Sequence, residues 1–70
     1  MPTLYLGSQG ELVLILQQYL SRIGHYDGLI NGYFNLQTYE AIREFQKRVG
    51  IFPRGIVDSK TWKAIINYSF

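Results

Sequence analysis

The side chains that could carry out catalysis in this chain are few. His25 is the single histidine and cysteine is absent, whereas a catalytic zinc ion takes three protein ligands, typically from His, Asp, Glu or Cys. Glu40 and Glu44 are the one close pair of carboxylates that can be placed from the sequence, and such a pair could hydrolyse a glycosidic bond. They lie among basic residues on a predicted helix, which is typical of a solvated face. The sequence therefore predicts no catalytic residue, no metal site and no cofactor.

The segment that begins at Asp27 has the opening of a calcium-binding loop, with Asn31 fifth and Gly32 sixth. Its third position is Leu29 and its twelfth is Thr38, where a calcium loop needs a bidentate glutamate. We therefore exclude calcium at this segment. The chain also lacks the glycine, serine, glycine spacing of a nucleophile elbow, so its serines are not predicted nucleophiles.

The length and composition indicate one small domain. The chain has 70 residues, of which 47% are hydrophobic and 16% aromatic, and we assign residues 1–70 to a single domain. No apolar run approaches the roughly 18 residues of a membrane span, and the first residues lack the basic-then-apolar pattern of a secretion signal. We therefore expect a monomer with no membrane insertion and no signal peptide within this chain.

The charge pattern bears on a second class of function, a small helical nucleic-acid-binding domain. The net charge of +2 is only a mild bias towards anionic partners. Nucleic-acid binding needs clustered Lys and Arg, whereas the basic residues here are scattered and alternate with Glu40 and Glu44. We predict no nucleic-acid partner.

One pattern occurs twice, from Gly32 to Ile42 and from Gly55 to Ile65. Each copy begins with glycine, continues with an apolar residue and a short polar acceptor, and then has threonine, an aromatic residue and an Ala-Ile pair. Asn35 and Asp58 are the acceptors, and these residue types are favoured at the N-cap, the position immediately before a helix. The repeat therefore predicts a tight turn that leads into a helix, used twice.

Hydrophobic periodicity and turn signals predict an all-α fold, a compact three-helix bundle with two structured, turn-rich loops. The predicted helices run from about Gln9 to Ile23, from Leu36 to Val49, and from after Asp58 to about Asn67. Ser8 and Glu11 form a predicted capping box for the first helix, and Gly24 and Gly50 are the predicted left-handed caps. Leu14 and Ile15 point away from the apolar face of the first helix, so they are candidates for contact with an attached catalytic domain.

The order of residues along almost the whole chain closely resembles the bacterial peptidoglycan-binding domain family. The resemblance runs from Pro2 to about Ile66 and is carried by Pro2-Thr3-Leu4, Gly7-Ser8-Gln9-Gly10, Val13, Leu16-Gln17, Leu20, Gly24, Tyr26, Gly28, Ile30-Asn31-Gly32, Phe34, Thr38, Ala41, Phe45-Gln46, Gly50, Gly55-Ile56-Val57-Asp58 and Thr61-Trp62.

This resemblance implies a non-catalytic module that binds the glycan strands and stem peptides of peptidoglycan. Such modules are appended to cell-wall hydrolases, including amidases, peptidases and cortex-lytic enzymes, and hold them on their substrate. It also implies an extracytoplasmic location, at the cell wall or in a spore or phage lysin. A module that docks onto the hydrolase itself, through Leu14 and Ile15, is the alternative function.

The loop before the second helix is the predicted ligand site. Aromatic rings can lie on the apolar faces of sugars, amide and hydroxyl groups can bond amides and hydroxyls, and cations can meet stem-peptide carboxylates. The predicted ligand-binding residues are Tyr26, Asp27, Asn31, Tyr33, Asn35, Gln37 and Thr38, joined by Arg43 and Arg54 if the fold brings them near. Thr38 has an alternative role as a cap residue, and Tyr26 and Tyr33 have an alternative role in the structure; the sequence leaves these alternatives open.

Overall fold

The computed structural model describes residues 2–68, and over these residues the chain forms three helices and no strand. Helix α1 spans Glu11–Arg22, α2 spans Leu36–Val49 and α3 spans Ser59–Tyr68. The predicted all-α, three-helix class is confirmed. None of the helices in this part of the chain is long and apolar enough to cross a membrane.

The start of α1 differs from the prediction. The helix begins at Glu11, and its N-cap is Gly10, which has φ 123° and makes no side-chain cap bond. The predicted capping box is wrong, because the Ser8 hydroxyl accepts a hydrogen bond from the Tyr5 N–H at 3.0 Å. The Gly10 N–H donates to the Gly32 carbonyl at 2.9 Å. Contact with the first loop, residues 23–35 between α1 and α2, therefore decides where this helix begins. The predicted left-handed cap at Gly24 is confirmed, with φ 82°.

Helices α2 and α3 begin as the repeat predicts. The Asn35 side chain accepts a hydrogen bond from the Thr38 N–H at 2.9 Å, and the Asp58 side chain accepts one from the Thr61 N–H at 3.1 Å. These bonds satisfy backbone donors that have no partner within a helix. Helix α2 ends at the left-handed Gly50, as predicted.

The core lies where the three helices and both loops meet. Leu16 of α1, Phe45 of α2 and Ile65 of α3 are fully buried, and Phe34 and Val57, one from each repeat, are buried with them. The buried apolar residues of the described chain are Leu4, Val13, Leu16, Leu20, Tyr26, Phe34, Ala41, Ile42, Phe45, Val57, Trp62 and Ile65. Each repeat thus contributes one apolar loop side chain to the interior as well as a helix.

The N-terminal segment connects the two repeats. Leu4 pairs with Val57 through two backbone hydrogen bonds of 3.0 and 2.8 Å. A few residues later, Gln9 pairs with Tyr33 in an isolated antiparallel bridge. The segment therefore lies across both loops and holds them side by side without forming a named strand.

We expect loss of either cap to destabilise the domain. Asn35→Ala and Asp58→Ala should each lower the free energy of unfolding by about 1 kcal/mol, because a helix N–H is left without its acceptor. Asn67→Ala, at an exposed position in the last turn of α3, is the control. Chemical denaturation followed by circular dichroism measures the effect, and midpoints equal to that of the control for both variants would contradict the caps.

The Asp58 cap also predicts a pH dependence. The hydrogen bond from the Thr61 N–H lowers the pKa of the Asp58 carboxyl below its ordinary value of 3.8. The stability that this ionised cap contributes is therefore fully present above pH 3.8, and it is lost as the pH falls through the lower pKa of the folded state. Asp58→Asn keeps the cap without the titration, so the stability advantage of the parent over this variant should shrink on acidification. A difference that stays constant from about pH 6 to pH 2 would contradict this prediction.

Candidate functional site

A buried glutamine of α1 fixes the backbone of the first loop. Gln17 is fully buried, and its side-chain oxygen accepts hydrogen bonds from the N–H groups of Asn31 at 3.0 Å and Gly32 at 2.9 Å. Its amide nitrogen donates to the Tyr33 carbonyl at 2.9 Å and to the Thr38 hydroxyl at 3.0 Å. One side chain therefore holds both the turn of this loop and the first turn of α2.

The fixed loop turns the Tyr33 ring outward beside α1. Tyr33 is 46% exposed, while the next residue, Phe34, is fully buried. Together with α1, the loop encloses a shallow depression of about 340 Å³, lined by Gln9, Gly10, Glu11, Leu14, Asn31, Gly32 and Tyr33. We call this depression the first groove. It combines an aromatic ring, an aliphatic side chain, two side-chain amides and the Glu11 carboxylate, which suits a ligand with apolar faces and hydrogen-bonding groups.

The other predicted residues of the first loop divide into exposed and buried ones. Asp27 and Gln37 are exposed and joined by a hydrogen bond from the Gln37 amide to the Asp27 carboxylate, 3.2 Å long. Tyr26 is 5% exposed and its hydroxyl donates to the Leu29 carbonyl at 2.6 Å. Thr38 is fully buried. Because Thr38 does not reach the surface, it leaves the set of candidate ligand contacts, and half-buried Asn35 serves α2 as its cap. The small exposed part of Tyr26 lines a separate depression with His25 and Asp27, so Tyr26 stays a predicted contact.

Arg43, on α2, contacts the second loop, residues 50–58, and Arg54 is part of that loop, so neither lines the first loop. The Arg43 Nε donates to the Pro53 carbonyl at 3.1 Å, and its guanidinium lies 5.8 Å from the centre of the Tyr39 ring. The Arg54 guanidinium lies 5.7 Å from the centre of the Phe52 ring. The sequence therefore grouped two cations with a loop that they do not line.

The second loop has its own buried glutamine. Gln46 of α2 is 1% exposed; its side-chain oxygen accepts from the Gly55 N–H at 3.0 Å, and its nitrogen donates to the Ile56 carbonyl at 2.9 Å and the Thr61 hydroxyl at 3.2 Å. Gly55 has φ 76°, and a side chain there would collide with the Tyr39 ring, so this position requires glycine.

A second depression of about 190 Å³ lies against this loop, lined by Gln46, Ile51, Phe52, Arg54, Ile56, Asp58, Lys60 and Thr61. We call it the second groove. Counting from the repeat glycines, Arg54 corresponds to Asn31 and Ile56 corresponds to Tyr33. Equivalent positions of the two repeats thus line both grooves, but with different chemistry.

Leu14 and Ile15, the predicted contacts for a catalytic domain, are half-buried and face different surroundings. Leu14 lines the first groove. Ile15 lines a separate depression on α1 together with Gln18, Tyr19 and Arg22. The two side chains therefore do not form one apolar patch.

His25 packs as an aromatic residue. Its ring lies edge-on to Phe45, with 5.5 Å between ring centres, and 6.2 Å from the ring of Tyr68. Partial burial, followed by the charge of Arg48, lowers the pKa of His25, while Glu44 acts in the opposite direction. Among the described residues, no three His, Cys, Asp or Glu side chains come together as a metal site.

The structurally decisive residues that sequence reasoning missed are Gln17 and Gln46. A signal was present, because Gln17 stands four residues after Val13 and three before Leu20, on the buried face of α1. Gln46 has the same relation to Ile42 and Val49. A glutamine on an apolar helix face, placed ahead of each repeat, predicts a buried amide that needs backbone partners.

The chain is similar to a known protein family and to proteins of known name. Residues 9–65 match the family described as "Putative peptidoglycan binding domain". The N-acetylmuramoyl-L-alanine amidase CwlM of Mycobacterium tuberculosis is 36% identical over 56 residues, which are 80% of this chain and 14% of that protein. A spore cortex-lytic enzyme of Bacillus cereus is 37% identical over 60 residues, 86% of this chain and 23% of that enzyme. The chain thus spans less than a quarter of these relatives.

Solved structures give the same result for the fold. The crystal structure of the SleB N-terminal domain superposes with a TM-score of 0.96 and 32% identity, covering 99% of this chain and 94% of that one. The Burkholderia AP3 phage endolysin superposes with a TM-score of 0.87 and 33% identity over 91% of this chain and 24% of that one. Both likenesses extend over nearly all of the three-helix architecture described above.

The buried glutamines predict a large stability effect. Gln17→Met and Gln46→Met keep the approximate volume but leave buried loop N–H groups without acceptors, so each should lower the free energy of unfolding by about 2 kcal/mol. Gln18→Met, at the exposed neighbouring position on α1, is the matched control and should change it by less than about 0.5 kcal/mol. Denaturant titration measures all three, and a Gln17→Met value equal to that of the control would refute the network.

Proposed function

Because the chain belongs to the peptidoglycan-binding domain family, we propose that it holds bacterial cell-wall peptidoglycan at the first groove. Peptidoglycan is the partner of this family, and the domain is a non-catalytic binding module. The proposal concerns which residues of this chain contact peptidoglycan. The observation that carries the proposal is the outward Tyr33 ring, held next to two side-chain amides and an aliphatic residue in one depression.

The chemistry of the first groove fits a glycan strand with peptide attached. The half-exposed Tyr33 ring offers a face for the apolar side of a sugar. The amides of Gln9 and Asn31 can exchange hydrogen bonds with sugar hydroxyls and acetamido groups, and Leu14 adds an apolar side chain to the lining. The groove is shallow and open, as a surface that receives part of a long polymer must be.

The rigidity of the loop supports the same location. Tyr33 is held through its carbonyl by Gln17 and through its N–H by the Asn31 side chain, at 2.9 and 3.1 Å. A contact surface that is already ordered loses less conformational entropy when the ligand binds. We propose three further polar residues as ligand contacts: Asp27 and Asn35 of this loop, and Gln37 in the first turn of α2, which bonds Asp27.

We propose that the module positions a cell-wall hydrolase in the protein to which it belongs. Support comes from the relatives, which are named as an amidase and spore cortex-lytic enzymes and are much longer than this chain. These names, together with the phage endolysin among the similar structures, also favour extracytoplasmic action at a cell wall or a spore cortex. Self-association is not needed for either groove, so we propose a monomer.

A docking function for α1 is the second candidate. Leu14 lies within the first groove, so it is better placed to contact peptidoglycan than to contact a catalytic domain at the same time. Ile15 lines its own depression and is the residue that would serve docking. The two functions therefore use different residues and can be separated by substitution.

We expect Tyr33→Ala to weaken peptidoglycan binding by about 1 kcal/mol, which is a severalfold loss of affinity, because an aromatic contact with sugar is removed. Tyr5→Ala removes another exposed tyrosine, one that does not line the first groove, and is the matched control. The measurement is sedimentation of the purified domain with insoluble peptidoglycan from several types of bacterial wall.

Both variants should keep the helical circular dichroism of the parent. If Tyr33→Ala sediments like the parent while Ile15→Ser abolishes sedimentation, the contacts lie on α1 and our location is wrong. Recovery of the parent in the supernatant with every type of wall would overturn peptidoglycan binding by this domain altogether.

A further inference from the structure

The second groove places two cations beside apolar side chains. Arg54 and Lys60 are exposed at its margin, and Phe52, 75% exposed, lies next to Ile56, which is 39% exposed. Over residues 2–68 neither cation forms an ion pair. Among residues 2–68, Phe52 is the most exposed of the large apolar side chains.

The groove is ordered before any ligand arrives. The Arg54 N–H donates to the Phe52 carbonyl at 2.9 Å, so a tight turn sets these two side chains next to each other. The Arg43 Nε holds the Pro53 carbonyl of the same turn at 3.1 Å. On the inner side, Gln46 bonds the backbone on both sides of the peptide that joins Gly55 to Ile56.

The one acidic side chain of the groove is already engaged. Asp58 accepts the Thr61 N–H at 3.1 Å as the cap of α3, and this bond lowers the pKa of its carboxyl. Its charge is thus directed at the start of the helix. The two cations and this carboxylate leave the groove with a net positive charge.

We propose that the second groove binds the free carboxylate of a short aliphatic peptide. This peptide is the stem peptide of peptidoglycan, so the inference rests on the proposed function. Arg54 and Lys60 pair with the carboxylate, since charge-assisted hydrogen bonds are the strong ones available at a surface. Phe52 and Ile56 receive the adjoining methyl groups.

The equivalent positions of the two repeats support the binding of different parts of peptidoglycan by the two grooves. At equivalent positions the first groove has Asn31 and Tyr33, an amide and an aromatic ring that suit sugar and amide groups. The second groove has Arg54 and Ile56, a cation and an aliphatic side chain that suit a carboxylate and a methyl group. Duplication of one backbone unit thus gives two sites, one for the glycan and one for the peptide.

The direct test uses a soluble probe and no cell wall. Acetyl-D-alanyl-D-alanine and its C-terminal amide are titrated separately into the ¹⁵N-labelled domain. We expect the free acid to shift the amide resonances of Phe52, Arg54, Ile56 and Lys60, and we expect the amide to bind at least about threefold more weakly because it lacks the charge. Equal binding of the two peptides, or shifts confined to the first groove, would overturn the proposal.

Substitutions test the same point with a matched control. Arg54→Gln and Lys60→Gln should each weaken binding of the free acid about threefold and leave the weak binding of the amide unchanged. Lys63→Gln removes the same charge from an exposed position of α3 that does not line the second groove, and it should bind like the parent. If Lys63→Gln weakens binding as much as the other two, the attraction is only net charge and no site exists here.

The result can be separated from that for the proposed function. If the parent sediments with peptidoglycan and Arg54→Gln sediments equally well at low and high salt, the wall-binding function stands and the carboxylate site fails. If the parent does not sediment with any wall, the proposed function fails, whatever the peptide titration gives.

Discussion

Two buried glutamine side chains hold this domain together at the points where helices alone could not. Nearly half of the described chain is loop, and its inward-facing N–H and C=O groups would be costly to bury without partners. Gln17 and Gln46 supply those partners. The side-chain oxygen of each accepts a hydrogen bond from the N–H of the glycine that begins a repeat. The side-chain nitrogen donates to the carbonyl of the residue after that glycine and to the hydroxyl of the threonine in the following helix. The indole N–H of Trp62 is, by contrast, a buried side-chain donor of the described chain that has no acceptor.

The same arrangement explains how so small a fold presents ordered binding surfaces. Because one glutamine bonds both the turn and the first threonine of the following helix, the loop and the helix start cannot move separately. The side chains at the two intervening positions are then divided strictly, with Phe34 and Val57 inward and Tyr33 and Ile56 outward. The backbone is set by the core, and the outward side chain is free to carry the chemistry of recognition.

The N-terminal segment adds a constraint that neither repeat has alone. By pairing with Val57 at Leu4 and with Tyr33 at Gln9, it lies across both loops and fixes their relative position. It also sets the entry into α1, since Gly10 bonds the Gly32 carbonyl. The two loops, which line grooves of different chemistry, are therefore connected through the N-terminal segment as well as along the chain.

The sequence by itself determined the three helices, the caps of α2, the N-cap of α3 and the family. Helix α2 has the predicted bounds because Asn35 and Gly50 act locally, through bonds to residues three or four positions away. Tertiary structure decided the rest. Helix α1 begins at Glu11, whereas the predicted start was about Gln9, because the Gly10 N–H bonds the carbonyl of Gly32, a residue distant in sequence. The sequence left open whether Tyr26 and Thr38 contact a ligand or serve the fold, and packing between segments buries both. Arg43 contacts the second loop because α2 carries it to Pro53, whereas Arg54 belongs to that loop itself. Spacing along the chain encodes local hydrogen bonds, whereas the membership of a surface depends on contacts between segments that only the folded chain brings together.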